Sequence, residues 1–242
     1  MKLHICKDSN ELSKQAAVWI GSSIKQTLEK QDRFTLALSG GSTPQKLHGL
    51  LSSYPYKEEI DWSKIHIFWG DERVVPLEDD RNNAKMAFDT LLDKVDVPME
   101  QIHIMRTDID PSEAAAEYEK IIKKYFGSGG HKLDLLLLGM GDDGHTLSLF
   151  PGTPVVHEKE KWVTSLFLES QDMYRITLTA PFANRSARVA FLTAGKSKAP
   201  ALKQVLEGDY DPDHFPAQLI KPVGELHWFV DKEAASQLSR TY

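Results

Sequence analysis

The chain has 242 residues, 41% hydrophobic and 26% charged, with a formal net charge of -6. These values fit a globular protein able to bury a substantial core, and the acidic balance argues against a nucleic-acid or anionic-membrane surface. An anionic ligand would have to be held by local cations and backbone amides.

Leu3 to Cys6 reads as a first strand. Cys6 is the single cysteine, so no intramolecular disulfide can form and a reducing compartment is indicated. Its simplest role is that of a small buried apolar residue. The start of the chain lacks a basic segment followed by an apolar one, and no run reaches the roughly 18 apolar residues of a membrane span. A cytoplasmic protein is expected, monomeric or a small homo-oligomer, with no membrane or nucleic-acid partner. The nine histidines show no metal-binding spacing, so no metal is expected.

Residues 10–30 carry Leu12, Ala16, Val18, Trp19 and Ile24 at helical spacing. Strand 34–38, helix 44–51, strand 65–69 and helix 83–92 follow, then a short strand at 101–104 and a helix over 111–126. Gly127 to Gly130 reads as a helix-to-strand loop. Strands at 133–138, 163–168, 175–179, 189–193 and 227–230 continue the sheet, with a small β excursion around 160–180. Asp231 is placed to cap a terminal helix. The alternation predicts one α/β domain over 1–242, a mostly parallel sheet with helices on both faces.

The ends of these strands carry the polar chemistry. After Leu38 comes Ser39-Gly40-Gly41-Ser42-Thr43-Pro44. Paired glycines expose successive amides as an anion nest. Thr43 as cap and Pro44 as first helical residue would aim a helix N-terminus at it. The spacing is not that of a P-loop. Strand 65–69 ends in Gly70-Asp71-Glu72-Arg73, where Arg73 suits an anionic oxygen and Asp71 a sugar hydroxyl or the orientation of a base. Asp79 to Asn83 reads as a turn leading into a helix, with Asn82 or Asn83 capping it or reaching a ligand.

Strand 133–138 runs into Gly139-Met140-Gly141-Asp142-Asp143-Gly144-His145. This formally matches a dinucleotide loop. Three points count against that reading: Asp142 and Asp143 would repel a pyrophosphate, Pro151 cuts off the long helix, and the motif falls past the middle of the chain. Proton transfer is the better reading. An imidazole, with its ordinary pKa of about 6.5, can take a proton from water near neutral pH, and Asp143 beside it can fix the tautomer. The loop glycines offer N–H groups to a developing oxyanion. Farther on, Arg175, Lys196 and Lys198 stand at strand ends, where at least one is expected to bind an anion.

Four segments together resemble the 6-phosphogluconolactonases related to glucosamine-6-phosphate deaminase. They are Leu38 to Pro44, Trp69 to Pro76, Gly139 to Pro151 and Arg175 to Thr179, with matches in order from about residue 35 to 231. The resemblance implies a modified Rossmann-like fold and hydrolysis of 6-phosphoglucono-δ-lactone to 6-phosphogluconate in the pentose phosphate pathway. It also implies no metal or organic cofactor. It makes His145 the general base and Ser39 to Thr43 the phosphate loop. Arg73 would contact substrate, and Arg175 and Lys198 would supply charge at the phosphate. The deaminases carry a catalytic glutamate where this chain has Phe150, which cannot relay a proton.

Overall fold

The computed structural model describes residues 1–127 and 130–239. The first half contains β1 (Lys2–Cys6), α1 (Ser9–Leu28), β2 (Phe34–Leu38), α2 (Ser42–Leu51), α3 (Tyr56–Glu59), β3 (Ile65–Trp69), β4 (Asp71–Arg73), α4 (Asn83–Thr90) and α5 (Pro111–Phe126). The second contains β5 (Leu135–Leu138), β6 (Val163–Leu168), β7 (Met173–Leu178), α6 (Ala180–Ala183), β8 (Arg188–Thr193), α7 (Ala199–Glu207) and β9 (Glu225–Asp231).

Six strands form one parallel sheet in the order β1-β9-β8-β5-β2-β3. β2 and β5 are buried at every residue. Burial of every residue, Thr35 included, marks strands covered on both faces. α1 packs on α2 and against β1, β2 and β9. The Tyr118 hydroxyl of α5 accepts from the Trp69 amide at 2.8 Å, and Phe126 lies 5.6 Å from Phe68, ring to ring. Local chemistry sets the helix starts: Asp8 caps α1, and Asp110 caps α5 ahead of Pro111.

The strand order reverses between β2 and β5, because the chain leaves β2 toward β3 on one side and β5 toward β8 on the other. Loops diverge at such a switch point and open a crevice at the carboxyl ends of the strands. At the opposite ends, Asp134 accepts from the Thr35 amide at 2.8 Å and the Thr35 hydroxyl at 2.7 Å. This bond pair ties the two strands together below the crevice.

β4, β7 and β6 form a second, antiparallel sheet. Segments 163–168 and 175–179 belong here, as the expected β excursion around 160–180, and do not continue the main sheet, since period alone does not choose a strand's partner. Asp71–Arg73 also departs from the expected loop. It becomes a strand by pairing with β7, Asp71 opposite Thr177 and Arg73 opposite Arg175. Gly70 joins the sheets: its amide donates to the Leu38 carbonyl at 2.9 Å, and its carbonyl accepts from the Leu178 amide at 2.8 Å.

Segment 101–104 is not a strand. Ile102 meets Ile67 in a single parallel bridge, and the His103 amide donates to the Ile67 carbonyl at 2.9 Å before the chain leaves the sheet edge. Asp231 starts no α-helix either. Its carboxylate accepts from the Gly195 amide at 3.0 Å and the Ala234 amide at 2.8 Å, and only a 3-10 turn, Ala234–Gln237, follows. In the loop expected at 127–130, Ser128 and Gly129 lie outside the described residues. Among the described residues no helix is long and apolar enough to cross a membrane.

Candidate active site

The loop after β2 ends sooner than its sequence suggests. α2 begins at Ser42 with Gly41 (φ 108°) as its cap, so Thr43 and Pro44 both lie inside the first turn. Proline is tolerated there because first-turn amides have no intrahelical acceptor. Thr43 is therefore not the cap, and no side chain caps this helix. The amides of Gly40, Gly41, Ser42 and Thr43 donate to no protein acceptor among the described residues. Four unpaired donors at the positive end of a helix form an anion nest.

The second sheet contributes the cations. Arg73 and Arg175 stand directly opposite on β4 and β7, a like-charge pairing that destabilises a ladder unless an anion relieves it. The Nε atoms of both are buried without a hydrogen-bond partner. Arg73 donates through Nη1 to the Arg81 carbonyl at 2.8 Å, and Arg175 donates through Nη2 to Gln171 Oε1. Arg175 Nη1 lies 4.0 Å from Asp71 Oδ2. Burial pulls the Arg175 pKa down, and the charge of Asp71 opposes that pull. Asp71 also accepts from the Ser148 hydroxyl at 2.7 Å. It thus braces Arg175 and the segment after the histidine loop, and does not bond His145.

The loop after β5 is tightly closed. The Gly141 amide donates to the His145 carbonyl at 2.8 Å and the Gly144 amide to the Gly141 carbonyl at 3.1 Å, while Thr146 Oγ1 donates to the Gly139 carbonyl at 2.8 Å. The Gly141 and Gly144 amides are thereby engaged and cannot serve an oxyanion. The next regular element is a 3-10 turn, Pro154–His157, so no helix N-terminus is present to hold a pyrophosphate. A Cβ on Gly141 would run into the His145 imidazole, so this position requires glycine.

His145 Nδ1 meets Asp143 Oδ1 at 2.6 Å, and the same oxygen accepts from the His145 amide at 3.0 Å. An Nδ1–H donor to this carboxylate leaves Nε2 as a free acceptor. Burial works against ionisation of Asp143, but the bonds from the His145 ring and amide outweigh it and hold the carboxyl below its ordinary value. Asp142 turns the other way and pairs with Lys198 at 2.6 Å. The two adjacent carboxylates thus have separate partners. Phe150 stacks on the imidazole with ring centroids 4.1 Å apart, and the Arg175 guanidinium lies 5.8 Å from the Phe150 ring.

One cleft of about 300 Å³ gathers these groups: Ser39, Gly40, Gly41, Ser42 and Thr43 from the first loop, Asp71, Arg73 and Arg175 from the second sheet, and His145 and Lys198. Asp143 stands behind the imidazole, and Lys196 is exposed outside the lining. The two asparagines divide their roles. Asn82 caps α4 by accepting from the Lys85 amide at 3.0 Å, whereas Asn83 lines the cleft. Sequence reasoning missed Gln171, Ser148 and the stacking of Phe150; the last two lie in a segment that looks only apolar and small. Among the described residues no group of histidine, cysteine and acidic side chains could hold a metal ion.

A family model described as glucosamine-6-phosphate isomerases/6-phosphogluconolactonase matches residues 7–228. The chain is 39% identical over 241 residues to a 6-phosphogluconolactonase of Nostoc sp., covering 98% of each chain. To that of Synechocystis sp. it is 40% identical over 231 residues, covering 94% of each. Among solved structures it resembles the 6-phosphogluconolactonase of Thermotoga maritima with a TM-score of 0.84 and 28% identity, covering 96% of this chain and 99% of that one.

Proposed function

The chain belongs to the family of glucosamine-6-phosphate isomerases and 6-phosphogluconolactonases, and on that premise we propose that it hydrolyses 6-phosphoglucono-δ-lactone to 6-phosphogluconate. It is a carboxylic-ester hydrolase. The observation that carries the reading is convergence: a carboxylate-held imidazole, four unpaired amides and two partly unsatisfied arginines share one cleft.

The substrate phosphate settles in the nest of residues 40–43, with positive charge from Arg175 and Lys198. That anchor holds the lactone carbonyl beside His145. With Nδ1–H committed to Asp143, His145 Nε2 removes a proton from water as the water oxygen bonds to the carbonyl carbon. Arg73 borders the resulting oxyanion, since the Gly141 and Gly144 amides are engaged elsewhere. As the tetrahedral species collapses, the bond from the carbonyl carbon to the ring oxygen breaks and the imidazolium returns its proton to that oxygen. General-base help of ~10²–10⁴-fold, added to positioning, suffices for an activated ester.

Phe150 stacks on His145 and offers no carboxylate for proton relay, so release of ammonia from glucosamine 6-phosphate is expected to be absent. The test is a lactonase assay corrected for spontaneous hydrolysis, run with phosphorylated and unphosphorylated gluconolactone. Strong preference for the phosphorylated lactone is expected. Equal rates on both would refute the phosphate anchor.

A further inference from the structure

On β4 the side chains alternate. Asp71 and Arg73 line the cleft, while Glu72 between them is 1% exposed. Its carboxylate accepts three backbone bonds: from Arg73 at 2.7 Å, Asn83 at 2.7 Å and Ala84 at 2.8 Å. Asn82 caps α4 only at the Lys85 amide, so the Asn83 and Ala84 amides, the first of the helix, rely on Glu72. A buried carboxyl is a poor choice for simple packing, because an apolar side chain would avoid the desolvation. Burial pushes Glu72 up to about 7 against the pull of its three amide donors.

Asn83 shows what the arrangement holds in place. Its amide is fixed by Glu72, and its Nδ2 donates to the Asp71 carbonyl at 2.9 Å. The carboxamide so fixed lies against Gly40, where any Cβ would run into it. The wall behind the anion nest is therefore a side chain whose place is set from β4.

We propose that Glu72 is a positioning residue for the reaction: by gripping the first amides of α4 it seats Asn83 on Gly40 and fixes the nest relative to the facing arginines. The inference rests on the reading of residues 40–43 as the phosphate anchor and deepens it. β4 then governs both halves of the anion site, with Arg73 on its cleft side and Glu72 on its buried side.

Glu72→Gln tests this. The carboxamide keeps the shape, but its NH2 group faces donors, so at least one of the three bonds is lost. KM for the phosphorylated lactone and the inhibition constant of inorganic phosphate should both rise about tenfold, the effect of roughly one hydrogen bond, while kcat changes by less than about threefold. Near neutral pH the melting temperature should not fall. Asn83→Ala should show the same rise in KM, and combining it with Glu72→Gln should add nothing further; if Glu72→Gln does not fold, Glu72→Asp, which keeps the carboxylate but shortens its reach to the α4 amides, should raise KM likewise. Unchanged KM and phosphate inhibition overturn the inference. If that occurs while the native enzyme still prefers the phosphorylated lactone, the anchor reading survives; if the native enzyme shows no preference, both fall.

Discussion

Glu72→Gln should gain stability over the native protein as pH rises. The Glu72 carboxyl moves from its ordinary value of 4.5 to about 7 in the folded chain, a difference on the order of 3 kcal/mol. Folded protein holds a proton in this window that unfolded protein releases. The contribution is therefore fully present below the unfolded value of 4.5 and lost as pH rises through about 7. Glutamine has no proton to release. All other titrating groups are common to both proteins, so they cancel in the difference between them. Glutamine gives up amide bonds at about 1 kcal/mol each, but that loss has no pH dependence of its own. Paired thermal or urea unfolding from about pH 5 to about pH 8 should show the variant gaining on the order of 2–3 kcal/mol on the native protein. For a chain of this length the melting difference should shift by roughly 5–10 °C. A flat difference would refute the reasoning. So would native protein gaining on the variant with pH, which would mean that the amide donors outweigh burial.

Other expectations concern catalysis. His145→Ala should lower kcat by ~10²–10⁴-fold while calorimetry still detects binding of 6-phosphogluconate; near-normal turnover would remove His145 from the chemistry. Asp143→Asn should lower kcat by roughly ten- to a hundredfold with little change in KM, a limited loss because the Asp143 side chain is 49% exposed and solvent screens the pair. An equal rise in KM would assign Asp143 to binding. Arg175→Ala should raise KM more than Lys198→Ala, because Asp142 already compensates Lys198 at 2.6 Å; steady-state kinetics giving equal effects would contradict that ranking.

Much of the frame was legible in the residues. The short, largely apolar runs 34–38 and 133–138 read as strands buried on both faces, and their glycine-rich exits meet at the switch point. The carboxylate neighbouring His145 was visible too, although only geometry shows Asp142 committed to Lys198. Local pattern failed where the decisive partner is distant in sequence. Asp71–Arg73 reads as a loop until β7 pairs with it, more than a hundred residues away. Thr43 looks like a good cap, yet Gly41 takes that place because its positive φ turns the chain into the helix sooner. Glu72 resembles a surface acid beside Asp71. Its burial follows from strand alternation, which exists only once β4 is a strand.

The seam at Gly70 has a consequence for how such an enzyme can change. His145 hangs from the parallel sheet, while the facing guanidiniums ride on the antiparallel one, and Gly70 bonds to both. On the proposed reading, substitutions along β4 and β7 would retune which anion is admitted without replacing the imidazole or its carboxylate. On that reading, selectivity and turnover are set from different sheets and coupled through Gly70, the Asp71–Ser148 bond and Phe150, which lies against both His145 and Arg175.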